Sequence, residues 1–96
     1  MSVQELLEEK REEILAIAEK HGAKNVRIFG SVVRGEETPE SDIDFLIDLG
    51  GKLSPWFPVG LIHDLEDLLG RKVDVVTEQS IHRFIRDRVL EEAKPL

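Results

Sequence analysis

The segment from Gly30 to Asp48 reads GSVVRGEETPESDIDFLID, and it decides how the whole sequence is interpreted. A Gly-Ser pair, Gly30 and Ser31, is followed after ten residues by Asp42 and Asp44, which lie within an apolar run. Aspartate is a poor strand residue, and strand residues two apart point to the same face. Two like charges about 4 Å apart near a protein surface repel by about 4 kcal/mol. The pattern therefore predicts a cation between the two carboxylates.

The apolar pattern on either side of this segment predicts alternating helices and strands. A capping box beginning at Ser2 opens a helix over residues 2–21, and Gly22 stops it. The next elements are a strand at 25–29, one helical turn after Gly30-Ser31, a loop at 36–41 that contains Pro39, and a strand at 42–48. These elements place the Gly-Ser turn and the paired aspartates at neighbouring strand ends.

The second half of the chain continues the same alternation. A helix is predicted to begin at Ser54-Pro55 and to stop at Gly70, followed by a strand at 72–77 and a helix capped by Ser80. In this last helix, five apolar residues are expected to face inward: Ile81, Phe84, Ile85, Val89 and Leu90. The whole chain, residues 1–96, is predicted to form a single domain.

The connections predict the sheet. The second and third strands are joined through a helix and are expected to be parallel with a right-handed crossover. The first and second strands have a short connection and are expected to be antiparallel neighbours. The fold class is therefore α/β (α+β), a small mixed sheet of three or so strands with helices packed on one face.

Composition limits the function classes. The chain has 96 residues and a net charge of −7. It contains no cysteine, so disulfides and thiolate metal sites are excluded. Basic residues are scattered among acids, which disfavours stable binding to DNA or RNA. No apolar stretch reaches the ~20 residues that a membrane span needs, and no signal peptide is recognised. These features predict a cytoplasmic protein without a membrane partner.

A third carboxylate extends the proposed cation site. Asp74 interrupts the apolar strand KVDVVT between Val73 and Val75. If this strand lies beside the one that carries Asp42 and Asp44, all three carboxylates can face the same side. Hard oxygen ligands without histidine or cysteine match Mg²⁺ or Mn²⁺. Because Mg²⁺ usually binds a few carboxylates together with substrate phosphates, the expected ligand is a nucleoside triphosphate.

The Gly-Ser turn is a candidate phosphate site. Gly30 allows close approach of a ligand, Ser31 adds a hydroxyl donor, and the free N–H groups of the following turn favour an anion. Two metal ions would stabilise the attacking and leaving oxygens, and Asp74 would activate the attacking hydroxyl. Two interpretations of Arg34 stay open: it grips a phosphate, or it forms a salt bridge with Glu36 or Glu37.

The motif GSVVRGEETPESDID resembles the signature of the DNA polymerase beta-type nucleotidyltransferase superfamily, and the short chain is similar to its minimal nucleotidyltransferases. The resemblance covers nearly the whole chain and implies the polymerase beta-like fold. It also implies that Asp42, Asp44 and Asp74 are the catalytic, metal-binding acids and that Gly30 and Ser31 hold nucleotide phosphate. ATP is then the substrate, with two Mg²⁺ ions.

The same resemblance implies a biological role. Minimal members are often paired with a small helical HEPN toxin, and they act as antitoxins by transferring AMP from ATP to a tyrosine of that toxin. Two alternatives stay open. In the first, the chain is a binding module that neutralises a toxin by contact alone. In the second, it is a nucleotidyltransferase acting on a small molecule, and it would need to form a homodimer to build an acceptor pocket. The sequence names neither the acceptor nor the preferred base.

Overall fold

The computed structural model describes residues 2–38 and 40–96, so Pro39 in the predicted loop lies outside the described residues. We number the elements in chain order. The helices are α1 (Val3–Glu9), α2 (Arg11–Lys20), α3 (Ser31–Arg34), α4 (Val59–Leu69) and α5 (Arg83–Glu92). The strands are β1 (Ala23–Phe29), β2 (Ile43–Leu49), β3 (Val73–Thr77) and β4 (Lys94–Pro95). None of the described helices is both long and apolar enough to span a membrane.

The four strands form one mixed sheet in the order β3-β2-β1-β4. Strand β2 is antiparallel to β1 and parallel to β3, as the connections predicted. The sheet also contains β4, which the sequence analysis missed, because a two-residue strand containing a proline has no periodicity to detect. It pairs with β1 through Arg27↔Pro95 and Ile28↔Lys94. The predicted α/β class with a small mixed sheet is confirmed.

The N-terminal helical segment differs from the prediction of one helix over 2–21. Two helices meet at Lys10, whose backbone (φ −97°, ψ 8°) leaves the helical region. The Ser2 hydroxyl accepts a hydrogen bond from Glu5 N at 3.1 Å, which confirms Ser2 as the N-cap. The helix-to-helix break was not predictable from glycine or proline, because neither lies near Lys10 in the sequence.

The prediction that Ser54-Pro55 opens a helix is wrong, since α4 begins at Val59. Residues 54–57 form a turn instead, in which Phe57 N donates to Ser54 O at 3.1 Å. The cause is a second proline: Pro58 disfavours the helical region for Phe57 and so delays the helix. The predicted stop at Gly70, with φ +67°, is confirmed.

The start of α5 was also predicted wrongly. Ser80 closes a short 3₁₀ turn capped by Thr77, and α5 begins three residues later with His82 as its N-cap. Of the five residues expected inside, Ile81 and Val89 are buried. The other three, Phe84, Ile85 and Leu90, are 79%, 50% and 37% exposed. The reason is that the buried stripe of α5 is narrow and passes only through Val89 within the helix.

The sheet has two differently covered sides. On one side, alternate residues of β2, namely Ile43, Phe45 and Ile47, pack into the main core beneath α1, α2 and α4. On the other side, Leu46 forms a smaller cluster with Ile81 and Val89. Helix α5 is therefore the exception to the expectation that the helices pack on one face. It leaves part of this second face open at the end of the sheet where β2 and β3 begin.

Candidate active site

The structure brings Asp44 and Asp74 together on the second face of the sheet. They are register partners in the parallel pair β2·β3, and register partners on neighbouring strands point to the same side. Asp42 precedes β2 by one residue and is exposed. The strand register therefore produces the predicted approach of Asp44 and Asp74 at one end of the sheet, while a metal-binding role for the three aspartates stays a prediction. This approach depends on β2 and β3 being parallel neighbours.

The electrostatics of Asp44 show how close these charges are. Burial, together with the negative charges of Asp74 and Asp42, raises the pKa of Asp44 to about 6. The positive charge of Arg34 opposes this rise, and the nearby carboxylate of Glu92 adds to it. The site is thus an acidic cluster whose repulsion is not balanced by the single arginine. A bound cation would relieve that repulsion.

Gly30 is packed directly against Asp44. Its backbone has φ +81°, a region that side chains rarely adopt. A Cβ atom added at Gly30 would collide with Asp44 Oδ2 and would lie 3.2 Å from Asp44 Cγ. Only glycine therefore lets β1 turn into α3 while the Asp44 carboxylate keeps its place. The Gly-Ser motif and the Asp-x-Asp motif are parts of one site.

Helix α3 is a single turn that begins at this glycine. Gly30 O accepts hydrogen bonds from Val33 N at 3.1 Å and from Arg34 N at 3.2 Å. The helical bonding begins at Val33, so the N–H groups of Ser31 and Val32 have no acceptor within the turn. This arrangement agrees with the predicted turn after Gly30-Ser31. Phosphate binding by Ser31 stays a prediction.

Arg34 lies between two carboxylates. Its Nη1 donates to Glu92 Oε1 at 2.6 Å, and its Nε donates to Glu36 Oε2 at 3.1 Å. The salt bridge with Glu36 that the sequence suggested is therefore formed. Contact with a phosphate stays a prediction. The hydrogen bonds to Glu92 and Glu36 raise the pKa of Arg34, so its guanidinium is charged at every working pH.

Glu92 also contacts this site, although no sequence pattern predicted it. This residue ends α5, and its Oε2 accepts a hydrogen bond from Gly30 N at 2.8 Å. Burial alone would raise its pKa, but hydrogen bonds from Arg34 and Gly30 outweigh burial and lower the pKa below its ordinary value. In the sequence, Glu92 is the second of two adjacent glutamates at the end of a charged helix. No local signal separates it from Glu91, because its partners lie about sixty residues away.

The donor set fits Mg²⁺ bound with its substrate. Among the residues described, no group of three or more His, Cys, Asp or Glu side chains is arranged as a ready-made metal cage. Mg²⁺ does not require one, since it is usually held by one or two carboxylates, water and substrate phosphates. Asp44, Asp74 and Asp42 would supply the carboxylates. The unbalanced acidity around Asp44 is the observation that favours a cation there.

Comparison with known proteins gives the class to which this fold and site belong. A solved structure provisionally described as a minimal nucleotidyltransferase matches with a TM-score of 0.85 and 41% identity. The match covers 100% of this chain and 97% of that one. The family model for the nucleotidyltransferase domain matches residues 8–96. The chain belongs to this family and is a nucleotidyltransferase.

Two similar proteins and one further solved structure indicate which kind of nucleotidyltransferase this chain resembles. A protein of Methanocaldococcus jannaschii, provisionally named a protein adenylyltransferase, is 44% identical over 91% of this chain and 94% of its own length. The protein adenylyltransferase MntA of Thermococcus cleftensis is 38% identical over 79% of this chain and 77% of its own length. A toxin-antitoxin structure with AMP-PNP shares the fold, with a TM-score of 0.71 and 22% identity over 88% of this chain and 69% of that one.

Proposed function

We propose that this chain is a Mg²⁺-dependent enzyme that transfers AMP from ATP to a hydroxyl group. The observation that carries the proposal is the acidic pair of Asp44 and Asp74, aligned across two parallel strands with Gly30 pressed against Asp44. The names of the relatives support AMP as the group transferred. The AMP-PNP bound by the toxin-antitoxin structure supports ATP as the donor.

Each residue has a part in the reaction. The Ser31 hydroxyl and the free N–H groups at the start of α3 bind the outer phosphates of ATP, and Arg34 adds a positive charge. Asp42, Asp44 and Asp74 would hold two Mg²⁺ ions, which would neutralise the charge on the transferred phosphate and on the leaving group. Asp74, which lies on the edge strand β3 and is exposed, takes the proton of the acceptor hydroxyl.

The bond changes follow from this arrangement. The acceptor oxygen attacks the α-phosphorus, forming a new P–O bond, while the bond from the α-phosphorus to the bridging oxygen breaks. Pyrophosphate leaves with that bridging oxygen, and the proton of the hydroxyl passes to Asp74. The product is an AMP ester of the acceptor. This chemistry needs no oxidant or further co-reactant.

The acceptor we propose is a tyrosine of a small helical HEPN toxin that pairs with this chain, which would then act as an antitoxin in the cytoplasm. The toxin-antitoxin structure with a similar fold is consistent with such a pairing. The acid site lies on a sheet face that α5 leaves partly open, so a separate molecule can bring the hydroxyl to it. A small protein with an exposed tyrosine is a suitable molecule of this kind.

The experiment uses ATP labelled at the α-phosphate, Mg²⁺ and the purified product of the neighbouring gene. We expect the label on a tyrosine of that product, and no label when ATP carries it only at the γ-phosphate. Asp42→Asn is expected to abolish transfer. Asp48→Asn is the matched control, since Asp48 lies on β2, the strand that Asp42 immediately precedes, but pairs with Arg27 at 2.7 Å outside the site.

Three results would contradict parts of the proposal. Transfer that survives Asp42→Asn would contradict the assigned site. Label that appears from the γ-phosphate would indicate phosphoryl transfer instead of AMP transfer. A triple variant of Asp42, Asp44 and Asp74 to Asn that still neutralises the toxin in a growth assay would identify the chain as an antitoxin that acts by contact alone.

A further inference from the structure

Glu92 joins the last turn of α5 to the turn at Gly30. One carboxylate oxygen, Oε2, accepts from Gly30 N at 2.8 Å, and the other, Oε1, accepts from Arg34 Nη1 at 2.6 Å. The side chain is only 14% exposed. A short, mostly buried contact of this kind holds its partners in one geometry, because charge-assisted hydrogen bonds are about twice as strong as neutral ones.

The two carboxylates that contact Arg34 are not equivalent. Glu36 is 65% exposed, lies two residues away in sequence and contacts Arg34 Nε at 3.1 Å. Glu92 comes from a different element and contacts Nη1. An exposed pair such as Arg34–Glu36 contributes little. The direction of the guanidinium is therefore set mainly by Glu92, which leaves Nη2 without a hydrogen-bond partner within residues 2–38 and 40–96.

We propose that Glu92 is the positioning residue of the phosphate site, which fixes the Gly30 turn and aims the free edge of Arg34 at the ATP phosphates. The inference rests on the proposed function, since it assigns Glu92 a role at that same site. Glu92 acts through Arg34 and does not touch the substrate. A bidentate carboxylate suits this role because it holds a backbone N–H and a guanidinium at once.

The main test is Glu92→Gln, with Glu36→Gln as the matched control. A glutamine at 92 still offers an oxygen to Gly30 N, but its amide N–H₂ cannot accept from Arg34. We expect KM for ATP to rise about tenfold, with kcat changed by less than about threefold, since the lost contact orients a binding group. We expect binding of inorganic triphosphate, measured by calorimetry, to weaken by the same factor. Glu36→Gln is expected to change both quantities by less than about twofold.

A double-variant cycle separates positioning from a general structural role. If Glu92 acts through Arg34, adding Glu92→Gln to Arg34→Ala will leave KM for ATP where Arg34→Ala alone puts it. Equal, additive losses in both backgrounds would overturn the inference. If Glu92→Gln does not fold, Glu92→Asp carries the same test, because it keeps the charge but is too short to reach both partners. It is expected to raise KM in wild type and not in Arg34→Ala.

Three further outcomes are decisive. A Glu92→Gln variant that binds triphosphate more tightly than wild type would overturn the inference, because Glu92 would then compete with the phosphates. Wild-type protein that binds no triphosphate would overturn the proposed function, and this inference with it. If wild type is active and Glu92→Gln behaves like Glu36→Gln, only the role of Glu92 is lost.

Discussion

The two faces of the sheet are built from the same strands, but one forms the packed core and the other carries the acidic cluster. Along β2, Ile43, Phe45 and Ile47 are fully enclosed on one face. On the other face Asp44 is only partly buried, and Leu46 is covered by α5. Alternation with period two places a packed core and an acidic cluster back to back. Stability and chemistry are therefore separable within one strand.

This difference between the two faces predicts how each face responds to substitution. The closed face gains free energy from burial, so a smaller residue there leaves a cavity. The open face holds charges whose mutual repulsion is unfavourable until a cation arrives, so neutralising one of them removes a cost. Substitutions at adjacent positions of β2 should then differ in kind. The predictions below begin with the largest effect.

The largest effect is expected on the closed face, from Phe45→Ala. Phe45 is completely buried, and such a truncation typically lowers the free energy of unfolding by about 3–5 kcal/mol. In a domain of this size each kcal/mol corresponds to about 4–8 °C in Tm, so thermal denaturation should show a fall of tens of degrees. Phe45→Leu should cost much less. A Phe45→Ala variant that lost activity but kept its Tm would contradict the separation of the two faces.

The next largest effect on stability is expected at Gly30, which packs against the Asp44 carboxylate. Alanine there requires a strained backbone and collides with the Asp44 carboxylate, which should cost about 2–3 kcal/mol and abolish AMP transfer. Gly35→Ala is the matched control. Gly35 also has a positive φ, +71°, but a Cβ there meets nothing within 4 Å, so we expect about 1 kcal/mol. Chemical denaturation measures both. Equal costs at the two glycines would contradict the role of the Asp44 contact.

A smaller effect concerns the affinity of the acidic cluster for metal. With its pKa raised to about 6, Asp44 is about 90% ionised at pH 7 and about 10% ionised at pH 5. Protons and cations compete for the ionised form, so Mn²⁺ should bind about tenfold more weakly at pH 5 than at pH 7. Electron paramagnetic resonance of free Mn²⁺, without nucleotide, measures this directly. In Asp44→Asn the binding should be weak at both pH values, and a pH-independent wild type would contradict the assignment.

Sequence patterns predicted the open face better than they predicted the helices that surround it. Asp42, Asp44, Asp74 and the Gly30-Ser31 turn could be placed because strand period and motif spacing are local signals that fix which face a side chain occupies. The convergence of Asp44 with Asp74 also followed from a topological rule, the parallel pairing of strands joined through a helix.

What the sequence could not supply came from tertiary context. The late start of α4 results from Pro58 acting on Phe57, and the exposure of Phe84 results from the narrow contact between α5 and the sheet. Glu92 could not be distinguished from the adjacent Glu91, because its role depends on Gly30 lying next to the end of α5. Such contacts join residues far apart in sequence, and local patterns do not contain them.

The smallest expected effect contrasts two aspartates on the same side of β2, Asp44 and Asp48. Because folding raises the pKa of Asp44 to about 6, its ionised form destabilises the fold. The cost is fully present above about pH 6 and disappears as the pH falls toward the unfolded-state value of 3.8. Without metal, Asp44→Asn should therefore raise the free energy of unfolding by about 1 kcal/mol at pH 8, once solvent screening is allowed for, and by almost nothing at pH 4.

Asp48→Asn should change the stability in the opposite direction. Asp48 accepts from Arg27 Nη2 at 2.7 Å and from Asn25 Nδ2 at 2.9 Å, so losing its charge should lower the free energy of unfolding by up to about 1 kcal/mol. Urea denaturation of both variants at pH 8 gives the two signs. If both variants were destabilised, the charge at Asp44 would be balanced within the protein. The open face would then need no cation, and the strongest physical argument for metal there would be lost.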